Sequence, residues 1–379
     1  MQPGIPAQQS STADGAEIVI DLGAIVANWR SLKGRGGPGT DCAAVVKADG
    51  YGLGAGRVAG ALYEAGCRSF FVAQFGEAAA IRPLLPADAR VAVLGGFTGP
   101  AAVYLDAGIQ PVLNSIDQLR AWAGAAQRLG RRLPAILHVD TAMSRLGLAP
   151  DELAALIADP SPWEWLRLDL VMSHLACGDE PDHGHNAEQL GQFRHALAKL
   201  PPAKASLANS AGVLLGPAFH FDLLRPGCGL YGINPRGAGP NAVGNVVSLT
   251  APVLQVRRVD SPMTVGYGAA HRVARPGRVA TVAAGYADGY KRSLSGRAEV
   301  FLAGRRVPLI GRVSMDLITI DVTDIPEVRP GDRVELIGPH VPVDEVAAWA
   351  GTIGYEMLTG IAPRVRRAYV NAPAPTLAC

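Results

Sequence analysis

Lysine is scarce in this chain, five residues against 30 arginines, and one of the five stands where a lysine is costly. The stretch "AAVVKADGYG" (residues 43–52) runs through small and β-branched apolar residues, meets Lys47 and passes at once into glycines. An uncompensated ammonium at the end of a strand buried on both faces is unfavourable, or it surrenders part of its proton affinity. A lysine held in that way can form a Schiff base or act as a general base. A second stretch, "RPGCGLYG" (225–232), places the backbone amides of Gly227 and Cys228 just past Arg225, in a strand-to-turn nest suited to an anion. Ser210, in "LANSAG", begins a helix-like segment and adds a hydroxyl.

These residues need elements that bring them together. Eight short apolar runs lie between residues 42 and 229: "CAAVVKA", "FFVAQ", "VAVLGG", "QPVLNS", "AILHVD", "DLVMSHL", "KASLANS" and "LLRPGCG". Segments with 3.6-type spacing separate them, such as "SIDQLRAWAGAAQRLG" and "HNAEQLGQFRHALAKL". Near-continuous apolar strands alternating with helices imply a parallel sheet, and eight of them predict an α/β (β/α)8 TIM-type barrel, with an open doubly wound sheet as the rival. From about residue 245 strand-like runs follow one another without helices, broken by turns such as "RPG" at 275–277 and 329–331. That texture predicts a mostly antiparallel β domain, closed by a helix in "VDEVAAWAGTI" and a strand near "RVRRAYV". The expected organisation is a loose tail over 1–16, a barrel over 17–246 and a β-rich domain over 247–379.

Composition narrows the function classes. The net charge is +2 and the basic residues are scattered, so there is no nucleic-acid footprint. No apolar run approaches the roughly 18 residues of a membrane helix. The first 16 residues lack the basic and apolar regions of a signal peptide. Five cysteines without a CxxC pair suit free thiols in a reducing compartment. The expectation is a soluble cytoplasmic protein.

In a barrel the C-terminal strand ends surround one site. Here they carry Lys47, Gly95, Asn114, Asp140, His174, Asn209 with Ser210, and Arg225. A pyridoxal phosphate site needs an imine-forming lysine, a phosphate cradle and a partner for the ring nitrogen. Lys47, the Gly227–Cys228 nest with Ser210, and Arg225 supply one of each.

Eight motifs in order, "VVKADGYGLG", "HVDTAMSRLG", "SHLACGDEPD", "LANSAG", "RPGCGLYG", "VGYG", "GYADGY" and "GRVSMD", resemble those of bacterial alanine racemases from about residue 17 to the C-terminus. The resemblance implies a barrel with an appended β domain, in a head-to-tail homodimer whose active sites draw on both subunits. It implies pyridoxal 5'-phosphate as cofactor and L- and D-alanine as substrates, supplying D-alanine for peptidoglycan. Lys47 would carry the cofactor as an imine and act as one base, and Tyr267, from the other subunit, would be the opposite base. His174 would lie beside the ring and hydrogen-bond toward Tyr267 and Arg225. Tyr51, Asn209, Ser210, Gly227, Cys228 and Tyr355 would hold the cofactor, chiefly its phosphate. Arg145, with the backbone of Met315 from the other subunit, would position the phenolate oxygen and the substrate carboxylate. Tyr286, Arg292 and Arg312 resemble the entrance of the substrate channel, and no metal is implied.

The chemistry agrees with those roles. Racemisation removes a proton from one face of Cα and returns it on the other, which favours two bases over one. Lysine and tyrosine both titrate near 10 when free, so each must be perturbed to work near neutrality. An arginine at the ring nitrogen resists donating its proton, which would disfavour transamination. One departure stands out: many relatives carry a lysine, often carbamylated, where this chain has His138. The negative charge that would orient Arg145 is then replaced by water, by an anion such as chloride or by another carboxylate, or Arg145 is held less firmly. Ser314 stands where a cysteine is common.

Other readings stay beside this one. A broader amino-acid racemase or a basic amino-acid decarboxylase of the same fold type would share Lys47, His174 and Arg225, although Tyr355 would leave room for little beyond a methyl. A non-catalytic pyridoxal phosphate carrier generally lacks the β domain. "HLACGDEPDHGH" (174–185) reads as a solvated loop before it reads as a metal site. "GYGLGAG" is a lone mimic of a dinucleotide loop. "RVRR" (364–367) reads as the solvent face of a strand.

Overall fold

A computed structural model of the chain describes residues 15–237 and 239–372; residues 1–14 of the expected tail lie outside them. The chain divides into two compact units. One comprises Asp21–Val246 with the residues from Val370, and the other comprises the residues up to Ile20 with Val247–Tyr369.

The first unit is a closed parallel barrel. After β1 (Glu17–Asp21), its strands are β2 (Asp41–Cys42) and β3 (Ala44–Val45), which are one strand interrupted at Ala43. Then come β4 (Ser69–Val72), β5 (Arg90–Val93), β6 (Gln110–Leu113), β7 (Leu133–His138), β8 (Leu166–Met172), β9 (Lys204–Ser206) and β10 (Leu223–Leu224). β3 through β9 pair in sequence order, and β10 pairs in parallel with β2. Backbone bonds from Asp222 N to Ala205 O (3.0 Å) and Arg225 N to Ala208 O (2.9 Å) link β9 to β10 and complete the circle, which excludes the open doubly wound sheet. The interior is packed with Ala43, Val45, Phe71, Ala92, Val112, Ile136, Leu170, Met172 and Leu223, so the barrel is filled and its site must lie at an end.

The surrounding helices follow from capping and amphipathicity. Asp21 caps the helix Leu22–Lys33 by accepting from Ala24 N at 2.8 Å. Ser115 caps Ile116–Arg128, which buries Leu119, Trp122 and Ala126 on the barrel; the Trp122 indole donates to Pro134 O at 3.1 Å.

The second unit is antiparallel. β11 (Val247–Val259) is the long strand; β12 (Thr264–Val265) and β13 (His271–Arg272) form a small hairpin. β14 (Gly277–Val282), β15 (Glu299–Leu302), β16 (Arg305–Ile310), β17 (Ile318–Asp321) and β18 (Arg333–Ile337) join β11 in a closed circuit, β11–β14–β17–β16–β15–β18–β11. β11 can pair with β18 at one end and β14 at the other because irregularities at Leu249/Thr250 and Val253/Gln255 bend it.

Three details differ from the sequence reading. Residues 17–20, expected to open the barrel, instead pair antiparallel with β11 and group with the β unit. Their short run of consecutive apolar residues, Ile18 to Ile20, suits either sheet, so nothing local assigns them. A short helix, Gly354–Thr359, follows Val343–Ala350 before β19 (Arg366–Val370). "RVRR" is not simply a solvent face: Arg364 bonds Asp288 through Nε (2.7 Å) and Nη2 (3.0 Å) and pairs with Asp316 at 2.8 Å, and Arg366 pairs with Glu17.

Candidate active site

The amine sits on a strained turn. Past β3, Ala48, Asp49, Gly50 and Tyr51 take φ of 53°, 53°, 63° and 57° in succession. Left-handed backbone costs a non-glycine residue roughly 1–2 kcal/mol, so the surroundings must hold it. Glu77 does so with one oxygen on Ala48 N (2.5 Å) and the other on Ala73 N (2.7 Å), and Asp49 accepts from Ala55 N at 2.8 Å. Lys47 at the head of this turn is half-buried. Burial first and the Arg145 cation second hold its pKa below the ordinary lysine value, with Glu77 and Cys228 opposing.

The nest is built by one hydroxyl. Ser210 Oγ accepts from both Gly227 N (2.9 Å) and Gly229 N (3.1 Å), all three residues being buried. Neither bond uses the hydroxyl's own hydrogen. Glycine is required at 227 because a Cβ there would lie 2.4 Å from the Tyr51 hydroxyl oxygen. The Tyr51 ring stacks on Tyr231 at 4.5 Å between centroids, and the Tyr231 hydroxyl donates to Val45 O at 3.1 Å, fixing the wall of the nest to β3. Asn209 caps the following turn, its side-chain oxygen accepting from Gly212 N at 2.8 Å.

Three cations converge on this end of the barrel. Arg225 is buried, donating to the Ser206 hydroxyl and to Ser173 O (2.5 Å), and burial pulls its pKa down to about 9. Arg145 lies on the Asp140–Gly147 loop, which Leu148 closes against β7 by bonding His138 O (2.8 Å) and receiving Asp140 N (3.0 Å). Burial, then the Arg225 and Arg145 charges among others, push His174 well below its ordinary range, so it is neutral at physiological pH. His138 behaves alike, brought down to about 4 by burial and then Arg225. Its Nδ1 meets Asn114 Oδ1 at 2.8 Å, and Asn114 Nδ2 donates to Leu94 O and Val112 O. Because those carbonyls fix the amide, His138 Nδ1 is the donor. Among the described residues Lys47, Arg145 and Arg225 form no ion pair with a carboxylate. The end of the barrel therefore carries positive charge that calls for anionic groups.

The β unit gathers the remaining sequence candidates. Tyr267 is 70% exposed on a turn with Gly266 at φ 79° and Gly268 at φ 67°. The Arg312 guanidinium packs against that turn, 3.1 Å from where a Gly268 Cβ would be. Tyr286 N and Ala287 N bond Ser314 O (3.0 Å) and Met315 O (2.9 Å), so "GYADGY" and "GRVSMD" are stitched together. Buried Asp288 anchors them, accepting from Gly285 N at 2.8 Å and from Arg364. Arg292 lines a cleft with Ser293, Ser295, Arg297 and Arg312, and Tyr355 lies on the helix Gly354–Thr359.

Sequence reasoning passed over Glu77, Ser206, Gln189 and Asp288, which hold others in place. Ser206 was the one with a local signal, a hydroxyl inside a buried strand. Among the described residues no group of three or more metal-ligating side chains converges, and no helix is long and apolar enough to cross a membrane.

Fold and site together define a barrel enzyme whose lysine amine stands beside a nest and cations suited to an anionic ligand. The family model for the alanine racemase N-terminal domain matches residues 20–235, and that for the C-terminal domain matches 246–369. The alanine racemase of Rhodospirillum rubrum is 54% identical over 357 residues, covering 93% of this chain and 96% of that one. The crystal structure of alanine racemase from Bartonella henselae, with covalently bound pyridoxal phosphate, matches at a TM-score of 0.90 and 44% identity over 94% of this chain and 99% of that one. The biosynthetic alanine racemase of Pseudomonas aeruginosa matches at 0.88 and 39%, covering 95% and 100%. The chain belongs to the alanine racemase family.

Proposed function

We propose that the protein is a pyridoxal-phosphate-dependent isomerase that interconverts L- and D-alanine, and that it works as a homodimer in the cytoplasm, supplying D-alanine for peptidoglycan. The observation that carries the reading is Lys47, an amine of lowered pKa beside a nest that only glycine fits, among cations without carboxylate partners.

The residues fit the cofactor. Lys47 would attach it covalently, while Ser210, Gly227, Cys228, Tyr51 and Tyr355 would hold the phosphate and Arg225 the ring nitrogen. When bound, pyridoxal phosphate supplies an electron-withdrawing ring that acidifies the substrate's Cα–H. Arg145 and, from a second copy of the chain, the backbone of Met315 would fix the substrate carboxylate, which orients Cα between two bases. Lys47 Nζ moves the proton on one face, and the Tyr267 phenolic oxygen, contributed by a second copy of the chain, moves it on the other. Neutral His174, held at its carbonyl by Gln189 (3.0 Å), adds no charge beside the Arg225 cation. The homodimer has its own support: Tyr267, Met315, Tyr286 and Leu317 of the β unit are all exposed, which leaves the Tyr267 ring free to be offered to a second copy of the chain.

The test is purified protein with pyridoxal phosphate and L-alanine, followed by chiral separation. The expected result is approach to an equal mixture of enantiomers from either side. Consumption of alanine with release of carbon dioxide, or no turnover beside firmly held cofactor, would replace the reading with a decarboxylase or a carrier.

A further inference from the structure

The acidic, histidine-rich segment after β8 runs into a helix whose first residue reaches the Arg145 loop. His185 opens the helix His185–Leu197, and both of its ring nitrogens face acceptors. Nδ1 lies 3.0 Å from Glu188 Oε2, and Nε2 lies 3.1 Å from Ala142 O. A carbonyl and a carboxylate only accept, so this geometry satisfies both nitrogens only when the ring is the imidazolium. Ala142 belongs to the Arg145 loop and takes φ of 73°, with Ser144 at 55°. The loop's other ties are from within and from below. Asp140 Oδ1 accepts from Met143 N (2.9 Å) and Ser144 N (3.1 Å), while Gln189, on the same helix as His185, donates to Thr141 Oγ1 at 3.3 Å. His185 is the one tie to the carbonyl of Ala142 that the described hydrogen bonds contain, and it carries a titratable proton.

We infer that His185 is a positioning residue, a protonation-dependent strut that holds the Ala142 turn and through it the placement of Arg145 beside Lys47. The inference rests on the reading that Arg145 meets the substrate carboxylate. The groups facing His185 are Glu188 on its own helix, His183 with its ring centroid at 6.2 Å, and the Ala142 carbonyl from the opposite loop. His183 Nδ1 accepts from His185 N at 3.2 Å. The N-terminal end of the helix disfavours the cation, and Glu188 in the first turn offsets it. The net direction is a raised pKa, Glu188 first and Ala142 second. Nδ1 faces a carboxylate and Nε2 a neutral carbonyl, so the neutral ring keeps its one proton on Nδ1 and loses the donor to Ala142 O. The strut is in place below that pKa and released as pH rises through it.

The experiment compares the parent with His185→Phe and Glu188→Gln, neither residue touching cofactor or substrate. KM and kcat for L-alanine are followed from pH 6 to 10, with hydrogen exchange of residues 141–146 on the same samples. The parent's KM should rise about threefold through the inflection, the scale of one exposed hydrogen bond, with kcat nearly constant. His185→Phe should begin at the high KM and lack the inflection, and Glu188→Gln should move it to lower pH. At pH 6 the loop should exchange faster in His185→Phe than in the parent. Superimposable profiles, a constant offset at every pH, or unchanged loop exchange would overturn the inference. If the parent does not racemise alanine at all, the proposed function fails while loop exchange still decides the strut.

Discussion

Replacing Ser210 by alanine removes one oxygen from a buried position and leaves two donors without an acceptor. Gly227 N and Gly229 N both point at that oxygen, at 2.9 and 3.1 Å. Each buried N–H left unsatisfied costs about 1–3 kcal/mol, less where water enters, so the apo protein should lose about 2–4 kcal/mol of stability. The cofactor loses a second, separable quantity. The serine hydrogen, which neither bond uses, is the donor proposed for the phosphate, and a hydrogen bond to a charged group is worth about 1.5–3 kcal/mol. By itself that weakens pyridoxal phosphate about 10- to 150-fold, before any disorder of the nest is added. The assay is an equilibrium titration of apo protein by the cofactor's visible absorbance, beside a urea unfolding curve without cofactor. The reasoning is refuted if Ser210→Ala binds the cofactor within twofold of the parent and unfolds at the same urea concentration. A drop in affinity with an unchanged midpoint would retain the phosphate donor and reject the nest's dependence on the hydroxyl.

Borohydride treatment of the holoprotein should fix cofactor mass on the peptide containing Lys47. Lys47→Ala should lose that adduct and at least about a hundredfold in racemisation, the lower range for a positioned proton carrier. Tyr267→Phe should keep the adduct yet lose activity on a similar scale, and in heavy water should exchange the Cα hydrogen of one enantiomer far faster than that of the other; symmetrical exchange would remove Tyr267 as the second base. His138 gives a pH effect. Its folded pKa, about 4, lies below the ordinary 6.5, so the unfolded chain takes up the proton first. The associated stability is complete above about 6.5 and disappears as pH falls to about 4, on the order of 3 kcal/mol at 1.36 kcal/mol per unit. His138→Gln should flatten the urea midpoint across that window relative to the parent, and an equal slope in both would refute the assignment.

The barrel was legible because parallel strands buried on both faces leave unbroken apolar runs, and eight such runs recur with helical segments between them. The nest was legible for a different reason: glycine, serine and arginine at a strand end are poor filler, so their presence asks for a use. Residues 17–20 were not legible, because a glutamate and three consecutive apolar residues pair as well with one sheet as with another and only β11 decides it. Nor was "RVRR", whose first arginine is spent on Asp288 and Asp316, partners some 76 and 48 positions away. Glu77 and Gln189 escaped for the same reason. They act mainly on backbone groups, which have no sequence signature, so a supporting residue is invisible until the chain is folded.

His138 is where sequence and structure together lead furthest. Where the resemblance implies a negative charge beside Arg145, this chain has His138. The structure supplies a neutral ring whose orientation is dictated from β6: Asn114 is locked by Leu94 O and Val112 O, its oxygen faces His138, and Nδ1 donates. Nε2 is then a lone pair rather than a proton, and burial beside Arg225 keeps it so at physiological pH. A lone pair attracts a guanidinium less strongly than an anion does, so the Arg145 loop must draw its rigidity from elsewhere. It has Asp140 beneath its turn, Gly147 pressed so closely on β7 that a Cβ would lie 3.1 Å from the His138 ring, and His185 bonded to Ala142. Support that a single charge beside Arg145 would concentrate is in this chain distributed over backbone contacts, the Asp140 carboxylate and His185, which is why perturbing a residue as remote as His185 should register in KM before kcat.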